Sequence, residues 1–300
     1  KINLISKDYL QNLIRNLEKE YSSNYVEKYF YNIRSVFNYG VDNDYILINP
    51  MNKVKLAVNK DEVRKEMLFW EPNEFDRFIQ AVDDEEMKTF YIFLYYMGTR
   101  KGETLALQWK DIDFKNDVVR IYKSVTTKIK GSPYAITSPK TKNSIRNIPM
   151  FKIVKDNLLA WKEVHKKMYG FSEDCFVFGF YRPMAYDKPR KYMIKVIDII
   201  NNGKPADHQI KKIRIHDFRH SHASWLINNM GKYNFSDYDI AKRLGDTVQM
   251  LHSTYAHQFK DAGRIIVDSI ENDSEDSKTT LQQAENKSQG KYSDLIELKQ

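Results

Sequence analysis

Apolar residues at Ile5, Tyr9, Leu10, Leu13, Ile14 and Leu17 recur at the spacing of one helix face, and Ser6 stands where a helix cap belongs. A second such face, Val26, Tyr29, Phe30, Ile33, Val36 and Phe37, predicts another helix, capped by Ser22 or Ser23 and ended by Gly40 and then Asn49-Pro50. Two helices bury too little surface to close a core alone, so this part is expected to be truncated or to dock on the rest of the chain. From Ala57 to Glu66 the chain is polar and charged with no wide apolar face, which predicts a linker.

A second domain is expected from about Leu68. Pro72 suits the first turn of a helix carrying Phe75, Phe78, Ile79 and Val82. The run Phe90 to Met97 is almost wholly apolar, so its helix should be buried and central, stopping at Gly98. Val118 to Val125 is rich in β-branched residues and reads as one strand, with shorter strands at Tyr134–Thr137 and Arg146–Pro149. Joining the last two through Ser138 to Ser144 gives a small antiparallel sheet with lysines at a hairpin tip. Helices are expected from Phe151 to about Asp268. From Glu271 the composition turns polar and a mobile tail is expected, with Leu295, Ile296 and Leu298 as an alternative docking patch.

Composition narrows the class. The chain has 300 residues, 42% hydrophobic and 29% charged, the balance of a globular protein with one large or two moderate domains. No apolar run is long enough to span a bilayer, and Lys1 to Leu10 lacks the uninterrupted apolar stretch of a secretory signal. Lys1 in place of a methionine suggests a chain that begins inside a longer gene product. A single cysteine, Cys175, fits a reducing cytoplasm, and a net charge of +8 favours a polyanionic partner.

Candidate chemistry gathers in an ordered series. Arg100 follows the apolar helix, Lys140 and Lys142 flank Thr141, His216-Asp217-Phe218-Arg219 opens a helix with His216 and Arg219 on one face, and Tyr255 comes last. Taken singly each has an ordinary reading: a surface arginine, solvated lysines, a helix-face pair, one core aromatic among 20 tyrosines. His216, His220 and His222 also suggest a metal, but Arg219 between the first two opposes a cation and no glutamate follows His216. No metal is therefore expected, and with no phosphate-binding glycine loop no cofactor either.

Gly98-Thr99-Arg100-Lys101-Gly102-Glu103 through Trp109-Lys110-Asp111-Ile112-Asp113, Pro139-Lys140-Thr141-Lys142 through Arg146-Asn147-Ile148-Pro149, His216 to Ala223, and Leu244-Gly245 through Tyr255-Ala256-His257 form four boxes. Their order resembles the tyrosine recombinases, in particular the integrases of phages and conjugative transposons, over residues 69 to 270. The resemblance implies a mainly α fold with a small antiparallel β-sheet: a catalytic domain over 68–272, preceded by a truncated helical core-site-binding domain over 1–56 and a linker over 57–67. A tail over 273–300 would be mobile or pass to a neighbouring protomer.

By the same resemblance, Tyr255 is the nucleophile that forms a 3′-phosphotyrosyl bond. Arg100 and Arg219 grip the scissile phosphate. His216 either assists proton removal or donates to the phosphate, and Lys140, or else Lys142, protonates the leaving 5′ oxygen. Implied partners are double-stranded DNA, clamped between the two domains, a homotetramer on that DNA, and accessory DNA-bending or excision factors. No membrane is implied; the location is cytoplasmic and nucleoid-associated in a bacterial or phage-encoded setting. Asp246 departs from the pattern, since the residue after Leu244-Gly245 is usually histidine or tryptophan. Three roles stay open for it: orienting His216 or an arginine, binding phosphate when protonated, or capping the helix that begins near Thr247-Val248. The alternatives in function are a catalytically impaired architectural DNA-binding protein of this fold and a type IB topoisomerase.

Overall fold

The computed structural model describes residues 2–57, 67–139 and 141–255, and the chain divides into two compact units, Lys1–Glu66 and Met67–Gln300. Lys140, the central part of the expected linker and everything after Tyr255 lie outside the described residues.

In the first unit, α1 (Lys7–Glu20) begins where the Ser6 hydroxyl accepts the Tyr9 N–H at 3.2 Å, and α2 (Ser23–Asp42) comes next. Their facing stripes bury Leu10 and Ile14 against Val26, Phe30 and Phe37. A 3-10 turn at Pro50–Lys53, capped by Asn49, adds Met51 and Val54, so the small core is closed by three pieces rather than two helices. Gly40 does not end α2. It is buried inside the helix, where a Cβ would press on the Ile46 side chain at 3.3 Å, and the chain reverses later, at Asp44 (φ 59°).

The second unit is organised around α4 (Glu85–Met97), which comes after α3 (Pro72–Gln80). Asp84 caps α4 by accepting the Met87 N–H at 2.9 Å, a turn earlier than the apolar run alone suggests, and Gly98 ends it in the left-handed conformation (φ 63°). Phe90, Tyr91, Phe93, Leu94 and Met97 are fully buried. At about 1.5–3 kcal/mol for each large apolar side chain removed from water, this helix dominates the core. A short helix α5 (Lys101–Leu105) begins at once.

Five strands among the described residues form two sheets: β1 (Ile112–Asp113), β2 (Val118–Ile121) and β5 (Arg146–Pro149) in one, β3 (Ser124–Thr126) and β4 (Ala135–Thr137) in the other. All pairings are antiparallel, with Val119 opposite Ile148 and Val125 opposite Ile136. Two expectations fail. Val118 to Val125 is not one strand: Tyr122 and Lys123 both turn to the buried Asp111, at 2.9 and 2.8 Å, and consecutive residues reaching one carboxylate break the pleat. Nor do the two later strands form a hairpin. β4 pairs with β3 and β5 with β2, so the lysine segment connects two sheets instead of turning at a tip.

The remaining α-helices among the described residues are α6 (Lys152–Lys166), α7 (Lys188–Asn201), α8 (Asp217–Asn228), α9 (Met230–Tyr233), α10 (Asp237–Leu244) and α11 (Val248–Tyr255). Phe218 of α8, fully buried, lies flat over Tyr91 of α4 at 5.6 Å between ring centres. A second apolar cluster joins Ala223, Leu226 and Ile227 of α8 to Ile240, Ala241 and Leu244 of α10 and to Leu251 and Tyr255 of α11. The architecture is therefore mainly α with small antiparallel sheets. Among the described residues no helix is long and apolar enough to cross a membrane.

Candidate active site

Arg100 caps α5 directly after the Gly98 turn. A side chain at Gly98 would be strained by its positive φ and would collide with the His222 ring, so the tight corner that aims Arg100 requires glycine. The Arg100 backbone N–H donates to Glu103 Oε2 at 3.0 Å and its Nη1 to Glu103 Oε1 at 2.9 Å. Arg146, from β5, donates through Nη2 to the same Glu103 Oε2 at 3.0 Å and through Nε to the Arg243 carbonyl at 2.8 Å. Burial would raise the Glu103 carboxyl, but the charge and hydrogen bond of Arg146, with Arg100, outweigh it and hold Glu103 below its ordinary value.

Arg219 is 3% exposed. Its Nη1 donates to the Gly98 and Leu244 carbonyls at 2.8 and 2.7 Å. Its Nη2 donates to Asp246 Oδ2, while Arg100 Nη2 donates to Asp246 Oδ1 at 2.6 Å. One carboxylate thus lies between two guanidiniums that belong to distant parts of the chain. Burying Arg219 without a counter-charge is costly, and Asp246 supplies it. The cap of α11 falls to Thr247, whose hydroxyl accepts the Met250 N–H at 3.1 Å.

His216 precedes α8 and is exposed. Surrounding protein, then the charges of Arg219 and Arg100, lower its pKa against the opposing pull of Asp217. Tyr255, 3% exposed, ends α11 with its hydroxyl 2.7 Å from His220 Nδ1. Burial raises the tyrosine pKa, opposed by Arg219 and reinforced by Asp246 and Asp217, which sets the hydroxyl within the field of the arginine site. His222 points away, accepting from Arg243 Nε at 3.0 Å. Among the described residues no cluster of three metal-ligating side chains occurs.

Arg100, His216, Arg219, Asp246 and Tyr255 therefore gather around one end of α4, while Lys140 lies outside the described residues and Lys142 opens a 3-10 turn, Lys142–Ser144. Sequence reasoning passed over Glu103, Arg146 and the contact of His220. The three-residue step from Arg100 to Glu103 carried a signal, being the interval of a helix-start pair. Nothing local pointed from Arg146 to Glu103.

The model of the phage integrase family matches residues 69–262. This chain belongs to that family. Family members are tyrosine recombinases and integrases, enzymes that transfer DNA strands. The chain is 31% identical over 267 residues to the ICEBs1 integrase of Bacillus subtilis (strain 168), covering 85% of this chain and 67% of that protein. It is 29% identical over 161 residues to a XerC-like tyrosine recombinase of Caldanaerobacter subterraneus subsp. tengcongensis, covering 50% and 41%. With the integrase of Staphylococcus phage L54a it shares 26% over 276 residues, covering 81% and 73%. It thus spans less than half of the XerC-like protein and about two thirds of the other two. In fold it is similar to the Tn1549 transposon integrase solved with transposon right-end DNA, at a TM-score of 0.73 and 20% identity over 90% of this chain and 87% of that one. Lambda integrase, solved as a dimer on a core site, is similar at 0.56 and 15% identity over 87% and 82%.

Proposed function

We propose that this chain is a site-specific recombinase that cuts and rejoins double-stranded DNA through a 3′-phosphotyrosyl bond at Tyr255, moving a mobile element into or out of a chromosome. The observation that carries the reading is the convergence of Arg100 and Arg219 on one anion, with the Tyr255 hydroxyl in the field of the same arginine. A guanidinium has five N–H donors in a planar fork. Arg100 commits one to Glu103 and one to Asp246, so it retains donors for a phosphate oxygen. Asp246 holds both forks in place between encounters with DNA.

In the reaction Arg100 and Arg219 hold the non-bridging oxygens and offset charge that grows as Tyr255 attacks phosphorus. The 5′ oxygen leaves with a proton from Lys140 or Lys142. The phosphotyrosyl bond keeps the energy of the broken one, so a different 5′ hydroxyl reverses the step and completes strand exchange. His216, exposed at the start of α8, donates to the phosphate. Exchange between two duplexes calls for four protomers, and accessory bending or excision factors would set direction.

The test is incubation with a nicked duplex bearing the sequence at the ends of the element that encodes the chain. A covalent adduct that is absent in Tyr255→Phe is expected. Stable binding to that duplex with no adduct would leave an architectural DNA-binding protein, and relaxation of supercoils without strand exchange would favour a topoisomerase.

A further inference from the structure

We propose that His220, and not His216, receives the Tyr255 proton when the tyrosine attacks DNA, an assignment that rests on the recombinase reading. His220 Nδ1 lies 2.7 Å from the Tyr255 hydroxyl, with ring centres 5.7 Å apart at 63°. With its proton on Nε2 the imidazole turns a lone pair toward that hydroxyl. His216 stands edge-on to His220 at 4.9 Å between centres and on the exposed side, which leaves it to meet the phosphate.

The position of His220 is fixed by its neighbours. Its helix is pinned by buried Phe218 and by Ser221, whose hydroxyl donates to the Asp217 carbonyl and accepts the Trp70 N–H, both at 2.9 Å. Because Arg219 is the preceding residue, one rigid segment carries both a phosphate grip and the group touching the nucleophile. The charged and titratable groups facing His220 are His216, Asp217, Arg214, Arg219 and Tyr255. Burial first, then His216, brings its pKa down to about 4, so its nitrogen is unprotonated at neutral pH. Tyr255 is buried and its pKa raised, so its hydroxyl does not ionise by itself and needs an acceptor in contact during attack.

The step balances. The Tyr255 oxygen bonds to phosphorus as the bond from phosphorus to the 5′ oxygen breaks. The hydroxyl proton passes to His220 Nδ1, and the 5′ oxygen takes a proton from the lysine acid. Phenolic oxygen loses basicity as its bond to phosphorus forms, and the negative phosphodiester raises the proton affinity of the imidazole beside it. On rejoining, the incoming 5′ hydroxyl returns a proton to the lysine and Tyr255 takes its own back from His220.

His220→Asn separates proton transfer from positioning, because an amide oxygen near the Nδ1 position still accepts the hydroxyl but takes no proton. Single-turnover cleavage of the nicked duplex by His220→Asn is expected to fall by about 10²- to 10⁴-fold, with binding to that duplex retained. Imidazole in solution should restore part of the cleavage by His220→Ala. A duplex with sulfur in place of the scissile 5′ oxygen, a leaving group that needs no proton, should rescue Lys140→Ala or Lys142→Ala and not His220→Asn. Cleavage by His220→Asn within about threefold of the unaltered chain overturns the assignment, as does its rescue by the sulfur duplex or loss of DNA binding in both His220 variants. Failure of the unaltered chain to form any adduct instead removes the recombinase reading beneath it.

Discussion

Asp246 and Arg219 form an ion pair in which the arginine side chain is 4% and the aspartate 16% exposed, and the same carboxylate holds Arg100 at 2.6 Å. An anion therefore already occupies the meeting point of two cations. Asp246→Asn keeps the shape and removes the charge, leaving two guanidiniums side by side. It should destabilise the protein by about 3 kcal/mol, the lower end for breaking a buried pair, because Arg100 still reaches water. Sulfate should then raise the melting temperature of the variant more than that of the parent at equal ionic strength, since an added anion binds the vacated place. Equal responses to sulfate in thermal melts would argue against an anion site there.

Glu103 gives a pH-dependent expectation. Its folded pKa lies below the ordinary 4.5, so the stability it contributes is complete above that value and is lost as pH falls through the folded one. Glu103→Gln should be less stable than the parent at neutral pH, by about 3 kcal/mol, with the gap narrowing at pH of about 3.5. Urea denaturation of both proteins at the two pH values checks this; a gap that stays constant contradicts it.

Buried histidines act in the adjoining, higher range, with the same sign. His165, 1% exposed, accepts the Trp109 indole N–H at 3.0 Å, and burial lowers its pKa from 6.5 to about 4, the value His220 also reaches. Between these values the unfolded chain binds protons that the native protein refuses, so stability should decline as pH drops from 6.5 toward about 4. His165→Asn, which preserves an acceptor for Trp109, should reduce that slope by up to about 1.4 kcal/mol per pH unit. An unchanged slope in urea titrations across this range would mean that His165 does not titrate as described.

Much of the fold was legible because its signals are local. The apolar run ending at Gly98 marked the central helix, Ser6 the cap of α1 and Pro72 the start of α3, each fixed by residues within a turn of one another. Strand partnership was not legible. Nothing in Tyr134 to Thr137 says that it pairs with Ser124 to Thr126, and the break at Tyr122-Lys123 depends on Asp111, a residue in another element. The site divides in the same way. Arg100, His216, Arg219 and Tyr255 were named from ordered boxes, but the partners that hold them, Arg146 on Glu103 and His220 on Tyr255, arise from chain segments that only folding brings together.

Arg219 also acts on the scaffold. Its Nη1 donors meet the Gly98 carbonyl, just past the end of α4, and the Leu244 carbonyl, the last of α10, so a single guanidinium neutralises the negative ends of two helix dipoles. It is a rivet as well as the proposed grip on phosphate. Replacing it would loosen the seam between two helices along with any grip on phosphate, and an inactive variant would say little about chemistry. Arg100, whose side chain is 36% exposed, is the arginine through which the proposed catalysis can be tested while the scaffold stands.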